Sequence, residues 1–96
     1  MANKYIVILD RGNSTERSAI HAIVKENSDG WWHQYADTWI VNGTSASRWR
    51  DLVKPALKPG PSSVMVIRLP DSDDRKWAYF GPKAEQRGKW LHSNYK

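Results

Sequence analysis

WWHQYADTWIVNG, residues Trp31 to Gly43, decides the architecture. Its β-branched and aromatic residues are interrupted by Ala36-Asp37. As one long strand it would form a single sheet element. As two, Trp31–Tyr35 and Thr38–Val41, it is a hairpin that reverses at Ala36-Asp37. The turn lacks the Asn-Gly or Asp-Gly signature of the tightest hairpins, and both readings stand; two short strands are preferred.

On the N-terminal side, Tyr5–Leu9 (YIVIL) is a continuous apolar run ended by Asp10-Arg11-Gly12, which reads as a buried strand. Asn13-Ser14-Thr15-Glu16 then marks a helix start, with Asn13 as N-cap and Glu16 at capping-box spacing. Ile20, Ile23 and Val24 recur at helical spacing until Asn27–Gly30 closes the segment. On the C-terminal side, Thr44-Ser45 caps a second helix whose stripe is Ala46, Trp49, Leu52, Val53, Ala56 and Leu57. Pro55 is expected to kink it or end its regular part. Val64–Leu69 is a further strand, Asp71–Lys76 a charged loop, Trp77–Phe80 a short strand, and Lys83–Tyr95 a short tail helix docked by Trp90 and Leu91. The expected fold is α+β: a ferredoxin-like βαββαβ sandwich with an extra C-terminal strand and a short tail helix.

The 96 residues are expected to form one domain, residues 1–96. The chain holds no cysteine, which excludes a disulfide framework and a thiolate metal site. No apolar run approaches a membrane span, nothing at the N-terminus has the pattern of a signal peptide, and the expectation is a cytoplasmic protein that meets no membrane. Net charge is +5 and uneven: residues 1–40 carry four Lys/Arg against five Asp/Glu, and residues 41–96 carry eleven against five. A basic second half permits an anionic partner such as RNA or DNA, or is simply a basic surface.

Two helices cover only one face of a four-stranded sheet, and the other should turn polar if it meets water. Tyr5, Val7 and Leu9 oppose Ile6 and Ile8, and Val64 and Val66 oppose Met65, Ile67 and Leu69. Six tryptophans against one phenylalanine add to the apolar surface needing cover. Either the tail from Trp77 folds over the open face, or two copies pack face to face as a homodimer burying at least ~1,200 Å²; the homodimer is the expected state.

YIVILD followed by a turn, GWWH, DTWIV, RDLVKPAL, VMVIRL, WAYFG and a final KWL resemble, over nearly the whole chain, the small SinR-like proteins. Those belong with the ferredoxin-fold superfamily of CRISPR-associated protein two and the VapD toxins. The resemblance implies a homodimer in which the aspartate ending the first strand, Asp10 here, faces its symmetry mate. It also implies that Asp10 is a candidate catalytic and metal-binding residue, holding Mg²⁺ for phosphodiester cleavage by a nuclease or endoribonuclease. Other members use the same dimer as a nucleic-acid scaffold. A different class of function, a non-catalytic protein-interaction module in phage defence or a toxin–antitoxin setting, fits the same small dimer.

Read as a residue, Asp10 either supplies an oxygen ligand to a hard cation shared across a two-fold axis or only ends the strand and pairs with Arg11. Arg11 and Asn13 are candidate phosphate contacts, with Gly12 permitting close backbone approach. Arg48, Arg50, Lys54 and Lys58 form the best basic cluster. Residues 50, 54 and 58 fall on one helical stripe as far as Pro55 permits, which Lys83, Arg87 and Lys89 would extend. With tryptophans nearby, this suits single-stranded nucleic acid. His33 is either a general base or a hydrogen-bonded sheet residue. His21 and His92 show no partner in sequence. Asp71, Asp73 and Asp74 lack the glycine and distal glutamate of a calcium loop and read as a solvated turn.

Overall fold

The computed structural model describes residues 3–70 and residue 89. The extra strand at Trp77–Phe80, the Asp71–Asp74 cluster, Lys83, Arg87, Trp90, Leu91 and His92 lie outside the described residues. Lys89 is described as an exposed helical residue.

The chain runs β1 (Asn3–Asp10), α1 (Ser14–Asn27), β2 (Trp31–Tyr35), β3 (Thr38–Gly43), α2 (Ala46–Val53), a 3₁₀ turn (Lys54–Ala56) and β4 (Ser63–Arg68). The stretch WWHQYADTWIVNG is two strands, which pair antiparallel and close on Tyr35 opposite Thr38. β3 runs two residues past the expected Val41, because Asn42 and Gly43 still pair with Lys4 and Asn3 of β1. The sheet order β2-β3-β1-β4, with every pairing antiparallel, is the ferredoxin-like arrangement.

The period of two in β1 sends Tyr5, Val7 and Leu9 to the helix-covered face, where each is buried. They meet Ile20 and Val24 of α1, Trp39 and Val41 of β3, and Trp49 and Val53 of α2. The two large indoles are inside because their N–H groups have partners. Trp49 Nε1 donates to Asn42 O at 3.0 Å, and Trp39 Nε1 donates to His21 Nδ1 at 3.3 Å. Gly43 is glycine because a Cβ there would fall on the Trp49 indole.

The expected capping box is present: Asn13 Oδ1 accepts from Glu16 N at 2.8 Å, and Asn13 N donates to Glu16 Oε1 at 3.1 Å. Glu16 also reaches across the fold. Its Oε2 accepts from Lys58 N at 3.0 Å and from Ser62 Oγ at 2.8 Å. It thereby ties the loop before β4 to the start of α1. These bonds hold its carboxyl below the ordinary value, most of all the one from the Lys58 backbone.

Candidate functional site

Asp10 alternates with Leu9 and so falls on the face turned away from α1 and α2, together with Ile6 and Ile8. Across β4 the matching positions are Ile67 opposite Ile6, Met65 opposite Ile8 and Ser63 opposite Asp10. Met65 and Ile67 are 58% and 46% exposed. An apolar ladder therefore leads to Asp10 at the sheet end. Trp32 and Ile40 form a second, buried cluster with Ile6 and Leu69.

Asp10 has one ionic partner among the described residues, Arg11, with Nε 3.8 Å from Oδ2 and both side chains about 70% exposed. A pair this open and long contributes little. Arg11 has φ 56°, in the left-handed region that non-glycine residues rarely occupy. Gly12 packs closely on Leu9, and a Cβ there would fall on the Leu9 side chain. Asn13 commits its side-chain oxygen to the helix cap, leaving its amide NH₂ for any outside contact.

The described residues of one chain do not make up a magnesium site. Asp10 brings a single carboxylate with a guanidinium beside it, and no group of three His, Cys, Asp or Glu comes together among the described residues. A shared ion requires the Asp10 of a second copy.

Arg48, Arg50, Lys54 and Lys58 are all exposed, but they do not form one helical stripe. Pro55 turns the chain from α to 3₁₀ after Val53, and Leu57 is already extended. Lys58 thus leaves the helix axis and lies at the Asp10 end, bound through its backbone to Glu16. Arg48 and Arg50 are on α2 toward its start, where Ser45, Ser47, Arg48, Asp51 and Leu52 line a cavity of about 460 Å³. Arg50 pairs with Asp51 at 3.0 Å; Arg48, Lys54 and Lys58 have no ion pair among the described residues. These cations ride the helix layer, on the other side of the sheet from Asp10.

His21 has no partner legible in the sequence, yet the fold puts it against His33. Their ring centroids are 5.0 Å apart, and His33 stacks on Trp39 at 4.4 Å with an 8° interplanar angle. His33 Nδ1 donates to Thr38 O at 3.0 Å, as a sheet residue would. Burial, then His33 and Lys25, lower the His21 pKa below its ordinary value. Arg17, Ser18, His21, His33 and Ala36 line a groove of about 360 Å³ between α1 and β2. The available signal was weak: Arg17 and His21 are four apart on α1, but their distance from His33 is set only by how the helix lies on the hairpin.

No protein-family model matches the chain, and no curated protein and no solved structure is found to be similar to it.

Proposed function

We propose that this protein acts as a homodimer that binds nucleic acid, in the manner of the CRISPR-associated protein two and VapD proteins that its sequence resembles. The observation that carries the reading is the ladder on the face turned away from α1 and α2. Ile6 pairs with Ile67 and Ile8 with Met65, two of these side chains stay about half exposed, and Asp10 stands at the ladder's end. A second copy packed on this face removes that apolar surface from water, at about 25 cal/mol per Å². Each copy then presents the cations of its helix layer outward, where Arg48, Lys54 and Lys58 are available to phosphates. Metal-dependent cleavage belongs to this reading only if the two Asp10 carboxylates come within ~8 Å, since Mg²⁺ ligand bonds are ~2.1 Å long.

Light scattering at tens of micromolar is expected to give twice the 11.1 kDa chain mass. Fluorescence anisotropy on short RNA and DNA, across a salt series with and without Mg²⁺, tests the partner. Reversal of Arg50, Lys54 and Lys58 to Glu should abolish binding. Lys54→Ala alone should weaken it modestly and lower the salt slope by about one. A monomer refutes the dimer. Unchanged affinity in the triple variant removes these cations from the interface.

A further inference from the structure

We infer that the groove between α1 and β2 binds a phosphate-class oxyanion, with Arg17, Ser18 and His21 as donors and His33 taking up a proton together with the anion. The inference starts from the hydrogen-bond partners of the two rings. The Trp39 indole can only donate, so His21 Nδ1 must accept, and the neutral His21 ring carries its proton on Nε2. The Thr38 carbonyl can only accept, so His33 Nδ1 carries a proton, and the neutral His33 ring keeps its lone pair on Nε2. Both Nε2 atoms have no protein partner among the described residues. One ring therefore offers the groove an N–H donor and the other a lone pair.

That division determines the ligand. A metal ion would find one available lone pair, since His21 Nε2 is occupied by hydrogen. An anion finds the His21 N–H, the Ser18 hydroxyl and the guanidinium of Arg17. Among the described residues Arg17 spends only Nη1, on Gly12 O at 3.1 Å and Asp37 at 3.4 Å. Among the residues that line the groove, the repulsive element is the His33 lone pair, which protonation converts to a donor. His21 cannot take that proton without breaking its bond from Trp39, and a second charge 5.0 Å from the first is unfavourable. Uptake should thus stop at one proton.

Among the described residues, the charged groups at the two rings are Arg17 on α1, which lines the groove beside His33, Lys25 on α1, which acts on His21, and Asp37 in the β2–β3 turn, which pairs with Arg17; the β3 neighbours Thr38 and Trp39 carry none. Asp37 competes with the anion for Arg17, but its pair is long and its side chain is 49% exposed. The groove volume of about 360 Å³ admits a tetrahedral oxyanion with several waters, each taking ~30 Å³. This site is independent of the basic residues on α2 and of the dimer, and neither reading's failure decides the other.

The test is a titration followed by the histidine ring resonances in NMR, with sulfate, which does not itself titrate in this range, and separately with a dinucleoside phosphodiester. Saturable shifts of the His21 and His33 rings are expected, with affinity higher at pH 5.5 than at pH 7.5 by up to about a hundredfold, the limit set by one linked proton over two pH units. His33→Gln should remove the pH dependence, Arg17→Gln should abolish binding, and Asp37→Asn should tighten it. Arg17 and Asp37 are half-exposed, so those variants keep the test valid if His33→Gln unfolds. Binding of both probes identifies a site that accepts phosphodiesters; binding of sulfate alone identifies a free-oxyanion site. No saturable shift at pH 5.5 with either probe overturns the inference. So does equal affinity at the two pH values, or unchanged affinity in Arg17→Gln.

Discussion

Two carboxylates, Asp10 and Glu16, stand six residues apart at the same end of the sandwich and have opposite fates. Glu16 is 3% exposed and accepts from Asn13 N, Lys58 N and Ser62 Oγ. Asp10 is exposed and meets one guanidinium at 3.8 Å. The difference lies in what closes over each side chain. Glu16 points from the first turn of α1 into the loop that delivers β4, so its oxygens replace water for three donors. Asp10 points away from α1 and α2, where no described element reaches it except Arg11. A carboxylate this fully committed has no capacity for a partner, whereas Asp10 has nearly all of its own.

The largest expected effect follows from Glu16. In Glu16→Gln, whichever way the amide turns, its NH₂ faces an N–H donor, and at least one buried donor loses its acceptor. The melting temperature should fall by on the order of 5–10 °C. The pH dependence has a fixed sign. Because folding lowers the Glu16 pKa below 4.5, its stabilisation is present above that value and is lost as pH falls through the lowered one. The variant should therefore lose least, relative to the parent, in acid. Equal melting temperatures at pH 7 would break the comparison.

Ser62→Ala removes one of the donors to Glu16 and leaves the other two. Urea denaturation should show a loss of about 1–2 kcal/mol, as for a hydrogen bond to a charged acceptor. Arg11→Gly works in the other direction. It relieves the left-handed backbone, worth about 1–2 kcal/mol, against a glycine entropy cost of about 0.5–1 kcal/mol. A net gain of about 0.5 kcal/mol is expected, and a loss would mean that the Arg11 side chain supports the fold. Asp10→Asn is the smallest. Stability at fixed oligomeric state should stay within about 0.5 kcal/mol, as at other exposed sites. The affinity of the proposed dimer should rise, because two like charges would no longer meet near its axis. A destabilised monomer would show that Asp10 serves the fold after all.

How far each site could be read from the sequence followed from the range of its contacts. The capping box needed only Asn13 and Glu16, three residues apart, and the spacing sufficed. The two links from Glu16 to Lys58 and Ser62 span 42 and 46 residues, and no local pattern carries them. The expected stripe of Arg50, Lys54 and Lys58 assumed that the helix continued. Pro55 signalled the break, but the direction in which Lys58 departs depended on Glu16 capturing its backbone. The His21–His33 pair was invisible because each ring sits beside ordinary core neighbours in its own segment.

Alternation and helical spacing along the chain determined the described strands and the two helices, and favoured the split of WWHQYADTWIVNG into a hairpin. These depend on which face a side chain takes relative to its near neighbours, a property of backbone period alone. The tertiary structure decided which carboxylate is locked and which is open. It also decided where the cations lie relative to Asp10 and that two histidines share a groove. Those outcomes depend on how α1 and the loop before β4 dock on the sheet, and docking is set by the shapes of Trp39, Trp49 and the core around them rather than by any single segment.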